Sequence, residues 1–314
     1  MKLQQLRYLT EVVRRGLNVS EAAEALHTSQ PGVSKQIKAL EQELGIEVFA
    51  RHGKRLVSIT EPGKAVVSIA ERILSEAQNL RRAGEEFAND QLGTLTIAAT
   101  HTQARYSLPK AVAAFKRRYP GVELRIQQGN PTQICEQVLA GEADMGVATE
   151  MVGEHPDMVS LPVFQWNRVV VVPAKHALLK SVPLTLEKLA QHPIVTYDFA
   201  FANRSLVQKA FESRGLKPHV VLSAQDSDVI KTYVELGLGV GILAKMAFDA
   251  EKDRNLRAID AGHLFESSTT RLGIKRNAYL RRYAYEFIEL FAPHLPRDIV
   301  ERSVRGEEGS RYEL

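Results

Sequence analysis

Cysteine is all but missing from this chain: its 314 residues contain one, Cys135. A lone thiol excludes an intramolecular disulfide and a cysteine-rich metal site, and leaves Cys135 the ordinary part of a small buried apolar residue. Long apolar runs are missing too, so no stretch reaches the length of a membrane span. The first residues, MKLQQLRYLTEVVRR, lack the short apolar core and small-residue cleavage site of a signal peptide, so a cytoplasmic location and no membrane partner are expected. The nine histidines fall at no metal-ligand spacing. No Ser-His-Asp, Cys-His or paired-carboxylate set assembles either. Asp226 and Asp228 begin a helix, where the dipole alone favours acidic residues. GLGVGI (Gly237–Ile242) has glycines at dinucleotide-like spacing but no following helix, so it reads as a helix-to-strand turn. Neither a metal, a cofactor nor a catalytic residue is expected, and an enzyme is disfavoured.

Charge excess is also small. The net charge of +4 is uneven, however: residues 1–60 carry 9 Lys+Arg against 6 Asp+Glu, and the remaining 254 carry 32 against 31. The basic end coincides with the most informative stretch, NVSEAAEALHTSQPGVSKQIKALEQELG, from Asn18 to Gly45. Asn18 is a good N-cap with Glu21 three residues later, and Ala22, Ala23 and Leu26 make a compact apolar face. His27 and Thr28 form a turn. Ser29 caps the next helix, Pro31 sits in its first turn, and Gly45 ends it. Val33, Ile37, Leu40 and Leu44 face a core, completed by Leu3, Leu6, Leu9, Val12 and Val13 of a preceding helix. Two short helices joined this way suit a helix-turn-helix, whose second helix enters the DNA major groove. Ser29, Gln30, Pro31, Ser34, Lys35, Gln36 and Lys38 are left on the outer side, with Gln and Ser suited to base edges and Lys to phosphate. VFARHGKRLVSIT then has a glycine turn between two β-like runs, a wing that carries Arg51, His52, Lys54 and Arg55 at its tip.

From Thr60 a helical pattern runs to about Phe87. Val66, Ala70, Ile73, Ala77, Leu80, Gly84 and Phe87 form a heptad-like seam that suits a dimer-forming helix. After Asn89–Gly93 the chain alternates apolar strands such as LTIAAT, DMGVAT and RVVVVP with helices, the pattern of β-α-β units. Two such halves followed by return segments predict a two-lobed domain with a cleft and crossings near Phe164 and Ser267. The divisions expected are 1–59 for the winged helix-turn-helix, 60–90 for the linker helix and 91–300 for the two-lobed domain. Its first lobe takes about 91–163 and 268–295, its second about 164–267, and 301–314 is a polar tail. Ligands of open α/β sheets lie at the carboxyl ends of strands. Thr100, His101, Thr102 and Gln103 follow one such strand and begin a helix, whose free N–H groups suit a small anion or carboxylate. Thr149 ends a neighbouring strand, and Phe199–Asn203 is the matching strand end of the second lobe.

With AAEALHTSQPGVSKQIKALEQELGIEVFAR and ITEPGK in view, the chain resembles the LysR-type transcriptional regulators over nearly its whole length. MKLQQLRYL, LTIAATHTQARYSLP, the strand end at Thr149 and SDVIKTYVELGLGVGI make it similar to the branch that governs sulfur assimilation and cysteine biosynthesis. The resemblance implies an α+β multi-domain fold. A winged helix-turn-helix and a long linker helix would precede a two-lobed α/β effector domain like the periplasmic binding proteins. It implies a homodimer or homotetramer that binds double-stranded promoter DNA and activates transcription with RNA polymerase. It further implies N-acetylserine or O-acetylserine, and sulfate or thiosulfate, as anionic effectors. The matching cleft positions are Thr100, Thr102, Gln103, Thr149 and Trp166. Where the family pattern has a threonine this chain has Ala202, which removes one candidate hydrogen bond; Asn203 and Ser205 stand beside it as compensating donors. A regulator that senses another small acid, organosulfur or aromatic, stays open for that reason, and a solute-binding protein without DNA binding is the rival from another class.

Overall fold

In the first sixty residues Asn18 and Ser29 each open a helix through one side chain, and Gly45 closes the second of these. The computed structural model describes residues 1–53, 55–88, 91–149, 155–181, 183–197 and 206–307. Lys54, the strand-end residues Ala202, Asn203 and Ser205, and the last seven residues lie outside the described residues. The chain forms two compact units, Met1–Glu85 and Glu86–Leu314.

In the first unit α1 (Leu3–Arg14), α2 (Val19–Ala25) and α3 (Gln30–Leu44) precede the hairpin of β1 (Phe49–His52) and β2 (Arg55–Ile59), and α4 (Glu61–Ala88) follows. The Asn18 side chain accepts the Ser20 and Glu21 N–H groups, which otherwise have no helical partner. Ser29 accepts the Gly32 N–H at 3.3 Å to open α3. Gly45 closes it at φ 69°, a left-handed position that costs glycine nothing. Leu6, Leu9, Val12, Ala22, Ala23, Val33, Ile37, Leu40, Val48 and Phe49 share one core; each large aliphatic there contributes roughly 2 kcal/mol by leaving water. Two expected core residues are not in it. Leu3 is 43% exposed and Leu44 39%, because each lies in the terminal turn of its helix, beyond the three-helix contact.

The second unit begins with β3 (Gly93–Ala99), a π turn (Gln103–Ser107) continuous with α5 (Leu108–Arg118), β4 (Val122–Gln128), α6 (Pro131–Ala140), β5 (Met145–Ala148) and β6 (Met158–Trp166). It crosses to β7 (Arg168–Pro173), α7 (Leu186–Leu189), β8 (Ile194–Tyr197), α8 (Leu206–Glu212), β9 (Val220–Ala224), α9 (Ser227–Glu235), β10 (Val240–Ala244) and β11 (Leu256–Asp260), then returns through β12 (Ser268–Lys275), α10 (Arg282–Phe291) and α11 (Arg297–Arg305). The strands make two five-stranded sheets, ordered β4-β3-β5-β12-β6 and β11-β7-β10-β8-β9. β3 runs parallel to β4 and β5, and β12 antiparallel to β5 and β6. The carboxyl ends of β3, β5 and β6 therefore lie on one edge of the first sheet. In the second sheet β8 is parallel to β9 and β10, so their carboxyl ends also share one edge.

The first crossing falls at Asn167, three residues beyond the expected Phe164, because β6 continues until Trp166 pairs with Ser268. The expected polar tail from residue 301 is also corrected: α11 runs to Arg305, with Val300, Ser303 and Val304 buried. Apolar residues one turn apart outweigh the charged composition there. GLGVGI forms the turn expected of it. Gly237 ends α9 at φ 81°, and Gly239 passes so near Pro193 that a Cβ would stand 2.3 Å from the Pro193 oxygen. Among the described residues no helix is long and apolar enough to cross a membrane.

Candidate functional site

In the first unit Val33, Ile37 and Leu40 are buried, so the opposite side of α3 is fixed as its outer face. Ser29, Gln30, Pro31, Lys35 and Lys38 are exposed there, and Ser34 and Gln36 are half-buried. Gln30 Nε2 donates to Ser34 Oγ at 3.5 Å. Arg55 is exposed on the hairpin. Arg51 lies on β1 of the hairpin, and its guanidinium meets Glu41 Oε2 at 2.7 Å. Glu41, on α3, is 7% exposed and also accepts the Val48 and Phe49 N–H groups at 2.9 and 3.2 Å. Arg51 thus braces the hairpin to the outward-facing helix.

In the second unit Thr100 follows β3, and its N–H donates to Val147 of β5 at 3.2 Å. The first helical bond is Ala104 N–H to Thr100 O at 2.9 Å. The N–H groups of His101, Thr102 and Gln103 before it are the donors every helix start leaves without an internal partner, and they carry the positive end of the dipole. The helix then widens into its π turn. Pro109 offers no N–H and its ring would press on the Arg105 carbonyl four residues back, so the turn before it opens. Ser107 Oγ donates within this turn to Gln103 O and Oε1 at 2.9 and 2.7 Å. Gln103 Nε2 donates to Thr270 Oγ1 at 2.9 Å. Both ends of the Gln103 amide are occupied, so its backbone N–H is what it presents at the helix start.

Thr149 follows β5 and Trp166 ends β6, so both share the sheet edge with Thr100. The Arg168 guanidinium stands 5.1 Å from the Trp166 ring centre and donates to Glu266 O and Ser268 Oγ. From the other lobe comes the start of α9. Asp226 caps it through the Val229 N–H at 2.8 Å. Thr102 Oγ1 lies 3.3 Å from Ser227 Oγ, and Tyr106 Oη donates to Asp228 Oδ1 at 2.8 Å. Arg105 Nε meets Asp228 Oδ2 at 2.7 Å, and Lys231 Nζ meets Oδ1 at 3.3 Å. Lys231 is itself held by Asp253 at 3.0 Å and donates to Ala247 O at 3.0 Å. One helical turn of each lobe therefore supplies this cluster of cross-lobe polar contacts.

Burial would raise the Asp228 carboxyl, but the Tyr106 hydroxyl, Lys231 and Arg105 outweigh it and hold the group below its ordinary 3.8. Burial likewise opposes the Lys231 charge, yet the Asp253 and Tyr106 bonds push its pKa up. Burial and the Asp228 bond raise that of Tyr106. His101, Asp226 and Asp228 bring ligand-type atoms within 4.8 Å of one another. Arg105 and Lys231 already neutralise Asp228, which opposes a divalent cation there. A folded-state carboxyl pKa below the unfolded one stabilises fully above pH 3.8 and loses that contribution as pH falls through the lowered value. Asp228→Asn is therefore expected to lower the melting temperature of the second unit at pH 7 and to flatten its acid dependence below about pH 4. Melting curves from pH 7 to 2.5 check this; parallel curves for the two proteins contradict it.

Sequence patterns did not reveal Tyr106, Tyr197, Ser227 or Lys231. Thr102 and Tyr106 lie more than a hundred residues from their partners on α9, and the one local signal, acidic residues opening α9, is equally explained by the dipole.

Residues 3–64 match the family of bacterial regulatory helix-turn-helix proteins of the lysR type, and residues 88–296 match the LysR substrate binding domain. The chain is 55% identical to the HTH-type transcriptional regulator CysB of Burkholderia cenocepacia over the full length of both. It is 52% identical to the regulator SsuR of the same organism, over 94% of this chain and 96% of that one. The crystal structure of the cofactor-binding domain of the Cbl transcriptional regulator superposes with a TM-score of 0.66 at 44% identity, covering 69% of this chain and 95% of that one. With both of its units matched and its relatives covered end to end, the chain belongs to the LysR family of helix-turn-helix transcriptional regulators, within the group that holds CysB and Cbl.

Proposed function

We propose that the protein activates genes of sulfur assimilation and cysteine biosynthesis from the cytoplasm, through RNA polymerase, and is no enzyme. Its effectors are N-acetylserine or O-acetylserine, with sulfate or thiosulfate as inorganic ligands of the same cleft. The observation that carries the effector reading is the helix start at His101–Gln103, with three N–H donors and the Thr102 hydroxyl, at the same sheet edge as the strand ends that precede Thr100 and Thr149 and that carry Trp166. Neutral donors and a helix dipole suit a small oxyanion or carboxylate. The kinship with CysB and Cbl supports the sulfur theme.

DNA is read by the outer face of α3, with Gln30, Ser34 and Gln36 toward base edges and Lys35 and Lys38 toward phosphate. Arg51, Lys54 and Arg55 of the hairpin approach the backbone or the minor groove. Two copies pair along α4, where the seam residues Leu80 and Phe87 are 76% and 91% exposed. Pairs assemble into a tetramer. Effector binding shifts the balance between lobe or subunit arrangements, which it can do only through unequal affinity for them.

Fluorescence anisotropy and footprinting on sulfur-gene promoter DNA, with and without O-acetylserine, N-acetylserine, sulfate and thiosulfate, test this. A change in affinity or footprint with one of them is expected; no response to any removes the sulfur assignment. Lys35→Ala should weaken binding at low salt about equally on all sequences and lower the salt slope by about one ion. An unchanged slope removes Lys35 from the interface. A second reading keeps the regulator and changes the ligand. Ala202 stands where a threonine is expected, and the half-buried Tyr106, Trp166 and Tyr197 pack against one core cluster of the second lobe, aromatic rings suited to a larger organosulfur or aromatic acid. An alkanesulfonate and benzoate in the same titration decide between the two.

A further inference from the structure

The hydroxyl groups behind Thr102 form a chain whose far end has a fixed direction. The Ala244 N–H lies 3.3 Å from Tyr197 Oη and can only donate to it. Tyr197 Oη lies 2.6 Å from Ser227 Oγ, a pair in which either hydroxyl can donate; donation from Tyr197 to Ser227 is the arrangement that gives the Tyr197 proton an acceptor among the described residues. In that arrangement Ser227 Oγ has its own proton for Thr102 Oγ1 at 3.3 Å, again a pair in which either oxygen can donate. That direction makes Thr102 Oγ1 an acceptor toward the second lobe and leaves its proton for whatever sits at the helix start. Ser227 is fully buried and Thr102 is 8% exposed, so water does not compete freely for these groups. In such surroundings each bond in a chain polarises the next.

We propose, granting the effector site at the His101–Gln103 helix start, that Ser227 and Tyr197 are specificity-determining residues of that site. They act through Thr102, fixing its hydroxyl as a donor and so selecting a ligand whose facing oxygen only accepts. A fully deprotonated oxyanion such as sulfate, or a carboxylate, meets that condition. An oxyanion that still carries a proton, such as hydrogenphosphate, presents a donor to a donor unless it turns its P–OH away, and one lost or mismatched hydrogen bond to a charged group costs about tenfold in affinity. The chain of hydroxyls also ties the ligand turn of the first lobe to the strand ends of the second, because Tyr197 closes β8 and Ala244 closes β10.

Isothermal titration of the full-length protein with sulfate and with phosphate at pH 7 tests this, on wild type, Tyr197→Phe, Ser227→Ala and Thr102→Val. Tyr197→Phe keeps the ring and removes the proton that sets the direction. Ser227→Ala removes the relay. Both are expected to weaken sulfate binding several-fold, to about tenfold, and to bring the sulfate-to-phosphate ratio down by a similar factor. A purely structural loss lowers both anions alike and leaves the ratio unchanged, which overturns the inference, as does unchanged sulfate affinity in both variants. Thr102→Val separates the two levels. If it alone abolishes sulfate binding, the effector site stands and the relay falls. If it too binds sulfate as wild type does, the effector site itself is misplaced. Tyr197→Phe is close to isosteric, so it decides the matter even if Ser227→Ala folds poorly.

Discussion

Gly63→Ala is expected to take most of the stability from the DNA-binding unit while the second unit keeps its structure. Gly63 is the third residue of α4, where alanine would ordinarily help a helix. Here a Cβ would stand 2.1 Å from the Val48 backbone oxygen and 2.8 Å from Thr60 Oγ1. Neither obstacle is the free end of a flexible side chain. Val48 O already accepts the Thr60 N–H at 2.9 Å, and Thr60 Oγ1 accepts the Gly63 N–H at 3.0 Å while donating to Glu47 O at 2.6 Å. Relief requires the start of α4 to leave the strand that feeds β1, which breaks this set together. Overpacking costs about 1–3 kcal/mol where side chains give way, and an unyielding backbone puts this site at or above the top of that range. A unit of this size has about 5 kcal/mol to lose. Urea denaturation followed by circular dichroism should show the early part of the transition shifted to low denaturant, with DNA binding lost. A midpoint within error of wild type would show that the helix start moves freely.

Glu41→Ala is expected to cost about 3 kcal/mol and to free the hairpin from α3. Three groups depend on that carboxylate: the Val48 and Phe49 N–H groups and the Arg51 guanidinium. Removing it leaves two backbone donors without a partner in a buried setting and takes the ion-pair partner from the exposed Arg51. The expected readout is a lower melting temperature for the first unit together with weaker promoter binding. Arg51→Ala alone should cost less, because the carboxylate keeps both backbone donors. Equal losses for the two variants would mean that the ion pair, and not the backbone bonds, is what matters.

The N-terminal unit was legible because its signals are local. Asn18, Ser29 and Gly45 act within three or four residues of themselves, and the buried set Val33, Ile37 and Leu40 follows one helical period. Leu3 and Leu44 fit the same period and are nevertheless exposed, because periodicity names a face and says nothing of how far along the helix the core extends. In the second unit the β-α alternation gave both sheets, and strand ends gave Thr100, Thr149 and Trp166 a common edge. What stayed hidden depends on pairing across the chain. The end of β6 is set by β12, the tail helix α11 by a core formed far earlier in the chain, and the cross-lobe contacts of Tyr106 and Thr102 by α9. Glu41 was hidden for a related reason: a glutamate among the polar residues of an amphipathic helix gives no sign that a hairpin will fold back over it.

Trp166 is the chain's one tryptophan. Its indole N–H is buried without a hydrogen-bond partner among the described residues, its ring faces the Arg168 guanidinium, and it packs on the core of the second lobe. With excitation confined to the indole band, an emission spectrum of the whole molecule is therefore a spectrum of the lobe junction, free of tyrosine background such as that of Tyr8 in the DNA-reading unit. A shift in that band when promoter DNA is added would be a signal received at the effector cleft from the far end of the chain, and linkage requires that it run in both directions.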